Sequence, residues 1–184
     1  MQKNVQKMSI NYSPNFNLEK RSFSKVKYLI FHYTGMKSEN EAIRRLTNSK
    51  SGVSCHYLIK NNGEVVKIVP DLYVAWHAGI SSWKKDILIN YSSIGIEISN
   101  PGHEHGYKSF TKKQIKTVIS LSKKLMKKFK IKKENVLGHS DIAPLRKKDP
   151  GEKFPWKILY KNKICLWHNL SDKRCKKLRK IKLS

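Results

Sequence analysis

Acidic side chains are scarce in this sequence: 13 Asp and Glu stand against 39 Lys and Arg, giving a formal net charge of +26. Such a balance favours polyanions, so nucleic acid, an anionic membrane and a cell-wall polymer all come into consideration. The lysines are scattered rather than gathered into one motif, and ordinary lysine-rich solvated faces account for the charge equally well. Helix-turn-helix spacing, an RRM-like aromatic motif and zinc-finger spacing are all missing, so no nucleic-acid partner is expected. Cysteine is also sparse. Cys55, Cys165 and Cys175 make no C-x-x-C pair and leave one over, which argues against a disulfide framework and suits a reducing compartment. No apolar stretch approaches bilayer-spanning length, so no transmembrane segment is expected. The N-terminal MQKNVQKMSINYSP lacks the apolar core of a signal peptide. A cytoplasmic location is the expectation, with the periplasm or cell envelope as the alternative. Internal repeats and low-complexity linkers are absent too.

What is present is ordinary for a folded domain: 184 residues, 39% of them hydrophobic and 10% aromatic. Residues 1–24 are polar and read as an N-terminal extension packing on the domain. Val26 to Tyr33 (VKYLIFHY) reads as a buried strand, ended by Gly35. Glu39 to Asn48 reads as a short helix. His56 to Lys60, the turn Asn61-Asn62-Gly63 and Glu64 to Val69 form a hairpin by pattern and turn chemistry. Ile94 to Ser99 alternates as a further strand. Thr111 to Lys130 is the clearest helix, with Thr111 and Gln114 as a capping box and Ile115, Val118, Ile119, Met126 and Phe129 as an apolar stripe. Asn135 to Gly138 is a short strand delivering His139 into a loop, and Pro155 opens a last short helix. Residues 169–184 form a basic tail, read as a solvated end, with contact to anionic wall or membrane surfaces as the alternative. This order of elements predicts an α/β single domain with a mixed central β-sheet flanked by helices.

A metal hydrolase needs about three protein ligands, a general base and a donor for the developing oxyanion. His32, at a strand end, His139, after a short strand, and Asp149, in a Pro-Gly turn, are candidates by type. Each has a plain alternative: a hydrogen-bonded structural histidine, or a common turn residue. Lys147 is one lysine among many. Glu97 is harder to set aside, because a carboxylate between Ile96 and Ile98 that faces a pocket needs a purpose. His103 and His105, in PGHEHGYK, read as a polar loop rather than a metal pair.

The words around these residues form a series: FHYTG at 31–35, SCHYLI at 54–59, AWHAGISSW at 75–83, SIGIEISN at 93–100, GHSDIAPLRKKDPG at 138–151 and FPW at 154–156. In this order they resemble the amidase-2 family of N-acetylmuramoyl-L-alanine amidases, nearest to its AmiD-type members and more distantly to the AmpD-type ones. The resemblance covers residues 25–168, the expected catalytic domain, and implies the amidase-2 (peptidoglycan-recognition-protein-like) fold. It implies that His32, His139 and Asp149 bind Zn²⁺, that Glu97 is the general base, and that Lys147 stabilises the oxyanion. It further implies a substrate groove involving Trp76, His77, Ala78 and Asn100, and peptidoglycan fragments (muropeptides) as partners. His56 lies within a matching word and is read as a supporting residue. Some distant relatives carry a catalytic tyrosine just before that position; here Cys55 occupies it, so no such role transfers. The rival reading is a non-catalytic peptidoglycan-binding module of the same fold. Such modules typically lack a metal ligand, whereas every expected residue is present here.

Overall fold

The apolar run through Leu29, Ile30 and Phe31 lies at the centre of a sheet, and all three side chains are fully buried. A computed structural model describes residues 8–168 and 170–178. The start of the N-terminal extension and the end of the basic tail fall outside those residues. In chain order the strands are β1 (Met8–Ile10), β2 (Phe16–Asn17), β3 (Tyr28–Tyr33), β4 (Tyr57–Ile59), β5 (Val65–Lys67), β6 (Val74–Ala75), β7 (Ser82–Trp83), β8 (Asp86–Ile87), β9 (Ser93–Ile98) and β10 (Val136–Gly138). The helices are α1 (Glu39–Thr47), α2 (Lys112–Phe129), α3 (His139–Ile142), α4 (Trp156–Lys161) and α5 (Asp172–Leu178).

Among the described residues, six strands form the central sheet in the order β1-β5-β4-β9-β3-β10. The β4–β5 hairpin is antiparallel and the other neighbours are parallel, so the sheet is mixed. Its turn depends on Gly63, whose φ of +83° suits a residue without a Cβ. The period of two then sorts side chains between faces. Leu29 and Phe31 of β3 join Ile94, Ile96 and Ile98 of β9 against Val118, Leu121, Leu125 and Phe129 of α2. Each such side chain, fully buried, stabilises the fold by about 1.5–3 kcal/mol. Tyr28 and Ile30 face the other way, among Ala78, Ile89, Leu137 and Ile142.

Helix α2 begins as its sequence signals. The Thr111 hydroxyl accepts from the Gln114 N–H, and the Gln114 side chain accepts from the Thr111 N–H. The Gln114 amide also donates to the Ser99 carbonyl at 2.7 Å, tying the helix start to the end of β9.

Two expectations need correction. Pro155 caps α4 rather than opening it, and the helix starts at Trp156. His139 does not enter a loop; it is the first residue of α3, whose start is held by the Asp141 side chain accepting from the Gly138 N–H. In the N-terminal extension, β1 adds to the sheet edge parallel to β5, and Ser13, Asn15 and Arg21 are buried. No helix among the described residues is long and apolar enough to cross a membrane.

Candidate metal centre

Three backbone elements aim side chains at one point. Alternation along β3 turns His32 away from α2, and the parallel register sets it beside Glu97 of β9. His139 follows Gly138, the last residue of β10, which is paired with Phe31. Asp149 arrives on a returning loop, fastened where the Ser140 N–H donates to the Asp149 carbonyl at 2.9 Å. Gly138 makes room for this return, because a Cβ there would lie 2.7 Å from the Pro150 ring.

The result is a tight triangle of donor atoms. His32 Nδ1 lies 2.9 Å from His139 Nδ1 and 2.9 Å from Asp149 Oδ2, and His139 Nδ1 lies 3.0 Å from the same oxygen. A tetrahedral zinc site with bonds of about 2.0–2.1 Å has ligand–ligand edges of about 3.3 Å, slightly wider than this triangle. Two imidazole nitrogens and one carboxylate oxygen are a donor set that suits a metal ion, and the residues fit one. His139 is oriented from behind: its Nε2 lies 3.1 Å from the Ala78 carbonyl, which also accepts from Arg146 at 2.8 Å. Burial, and then the neighbouring His139, hold the His32 pKa down at about 4. Burial would raise the Asp149 pKa, but the adjoining His139 and His32 imidazoles overcome it and hold the group below the usual carboxylate range. A neutral His32 beside an ionised Asp149 matches the protonation states that metal ligation requires.

Glu97 is held differently. Its Oε2 is sealed from solvent without a hydrogen-bond partner among the described residues. Burial, reinforced by the Asp149 charge and opposed by Lys147, pushes its pKa well above the ordinary carboxylate value. A carboxyl group left so is destabilising, and such groups concentrate at working sites.

A cleft of about 400 Å³ opens over these groups, lined among others by His32, Glu97, His139, Lys147 and Asp149. Trp76 and His77 also line it, whereas Ala78 and Asn100 do not. Ala78 is fully buried and contributes only its carbonyl. Asn100 is buried as a loop brace, its amide donating to the Lys108 carbonyl and its Oδ1 accepting from the Gly102 N–H. His56 is buried behind the site, its Nδ1 accepting from the Gly95 N–H at 3.0 Å. Sequence reasoning underrated His103. It lines the cleft and bridges Tyr33 Oη (2.9 Å) to Glu152 Oε2 (2.9 Å), linking the end of β3 to the loop that carries Asp149. No local pattern signals that bridge.

Comparisons with known proteins agree with this architecture. The sequence is 37% identical over 158 residues to the N-acetylmuramoyl-L-alanine amidase AmiD of Escherichia coli (strain K12), covering 79% of this chain and 56% of that protein. It is 38% identical over 104 residues to the 1,6-anhydro-N-acetylmuramyl-L-alanine amidase AmpD of Enterobacter cloacae, covering 56% of this chain and 54% of that one. The chain thus spans about half the length of these curated relatives. The solved complex of E. coli AmiD with the substrate anhydro-N-acetylmuramic acid-L-Ala-D-gamma-Glu-L-Lys matches with a TM-score of 0.72 and 35% identity, over 87% of this chain and 65% of that one. A family model, Amidase_2, described as N-acetylmuramoyl-L-alanine amidase, matches residues 22–152, and the chain belongs to that family.

Proposed function

We propose that this chain is a zinc-dependent N-acetylmuramoyl-L-alanine amidase. It hydrolyses the amide between the lactyl group of a muramyl or anhydromuramyl residue and the first L-alanine of the peptide, in cell-wall turnover or recycling. The observation that carries this reading is the convergence of His32 Nδ1, His139 Nδ1 and Asp149 Oδ2 to within 3.0 Å of one another, beside a Glu97 whose Oε2 is sealed from solvent and without a partner among the described residues. The relatives' names supply the substrate class.

His32, His139 and Asp149 hold the metal. Zinc bound there supplies Lewis acidity, which polarises a carbonyl and can bring the pKa of water down to about 7. Glu97 takes the proton as water oxygen attacks the lactyl carbonyl carbon, and hands it to the alanine nitrogen as the C–N bond breaks. The desolvated setting of Glu97 suits that exchange, since burial makes its carboxylate a stronger proton acceptor than an ordinary one. Lys147 sits at the cleft wall and offers a cation to the oxygen on which charge develops.

The test is mass spectrometry of digests of anhydromuramyl and ordinary muramyl peptides, with and without chelator. The expected result is release of peptide with a free L-alanine amino group, abolished by chelation and restored by Zn²⁺. Cleavage that survives complete chelation overturns the metal reading. Binding without any cleavage indicates a recognition module instead.

A further inference from the structure

We propose that His77 is a positioning residue for His32, and that Ser93 and Gly95 set its orientation and its tautomer. The inference rests on the reading of His32 as a metal ligand. The sequence points His77 toward substrate, yet both of its ring nitrogens are engaged within the protein. Nδ1 lies 3.0 Å from His32 Nε2, and Nε2 lies 3.1 Å from Ser93 Oγ.

The proton arrangement follows from one hydroxyl. Ser93 has a single hydroxyl proton, and it donates to the Ile89 carbonyl at 2.6 Å. Ser93 Oγ can therefore only accept from His77, which places the His77 proton on Nε2 and leaves Nδ1 bare. A bare His77 Nδ1 accepts from His32 Nε2–H. His32 Nδ1 then keeps its lone pair, aimed at His139 Nδ1 and Asp149 Oδ2. The opposite choice would protonate His32 on Nδ1 and close it to a metal. A hydroxyl on the first residue of β9 thus selects the ligating nitrogen through one intervening ring.

Seating is as specific as protonation. Ser93, Gly95 and Glu97 alternate onto the same face of β9. At Gly95 a Cβ would lie 2.4 Å from His77 Cγ, so the imidazole occupies the space a side chain would fill. The Asn90 side chain accepts from the backbone N–H groups of His77 (3.0 Å) and Ala78 (2.7 Å), fixing the segment that carries the ring.

The test is zinc affinity, measured by competition with a chromophoric chelator, together with long-range ¹H–¹⁵N spectra that report the His32 tautomer in the metal-free protein. His77→Leu is expected to weaken zinc by about 10–100-fold and to mix the His32 tautomers. His77→Asn, whose Oδ1 replaces the accepting atom, is expected to recover most of that loss. Ser93→Ala is expected to fall between the two. These readouts do not depend on hydrolysis, so failure of the substrate assignment leaves them intact. If the wild type binds zinc no better than His32→Ala, the metal reading falls and this proposal with it. If the wild type binds zinc tightly and His77→Leu does so equally with an unchanged tautomer, the positioning role alone is wrong.

Discussion

Two carboxylates, Asp71 buried and Glu97 with one oxygen sealed from solvent, lie on opposite sides of one sheet, and the protein treats them in opposite ways. Asp71, on the α2 side, accepts from Tyr57 Oη, from Lys67 Nζ at 3.0 Å and from Lys128 Nζ at 2.6 Å. Burial works to raise its pKa, but those donors overcome it and bring it down to about 2. Glu97, on the cleft side, has an oxygen with no partner among the described residues, and its pKa is driven upward. The first arrangement stabilises a fold. The second keeps a proton acceptor available at a cost in stability, and it stands beside the converging histidines.

The comparison breaks most sharply at Glu97. Glu97→Ala is expected to lower kcat by about 10²–10⁴-fold while zinc content holds and the melting temperature stays level or rises. A fall in melting temperature with activity per folded molecule preserved would make Glu97 a structural residue like Asp71. Next in size is Lys147→Met, for which a loss of about 10²–10³-fold is expected, carried mainly by kcat rather than KM. An effect confined to KM would move Lys147 from the reacting oxygen to ground-state binding.

At Asp71 the effect falls on stability and depends on pH. Its folded pKa of about 2 lies below the ordinary 3.8, so its contribution is present above about pH 4 and disappears as pH falls toward 2. The amount is on the order of 2 kcal/mol. Urea unfolding at stepped pH should show this acid limb, and Asp71→Asn should flatten it while leaving activity at neutral pH unchanged. The smallest effect is expected at the start of α2, the helix that supplies Lys128. Thr111→Ala removes a cap and should cost about 1 kcal/mol in the same unfolding assay, without altering turnover.

Much of this was readable along the chain because it depends on near neighbours. The alternation IGIEIS already places Glu97 on the opposite face from Ile96 and Ile98. Thr111 and Gln114, three residues apart, already define the start of a helix. The site was less readable, since an imidazole's partners lie far away in sequence. Nothing local in Ser93 shows that its oxygen meets His77, or that His103 bridges Tyr33 and Glu152. Ala78 and Asn100 sit in words that resemble a groove, and their burial, at 0% and 4% exposure, is not visible in those words.

The sequence by itself determined the family words, the strand and helix periods and the identity of the candidate ligands, because residue type and spacing act over a few residues. Only the tertiary structure decided that Met8–Ile10 pairs with Val65–Lys67, and that three donor atoms 107 and 117 residues apart along the chain meet within 3.0 Å. Parallel pairing and ligand convergence are long-range events, set by which faces of the sheet must be buried, and no short window of residues contains them.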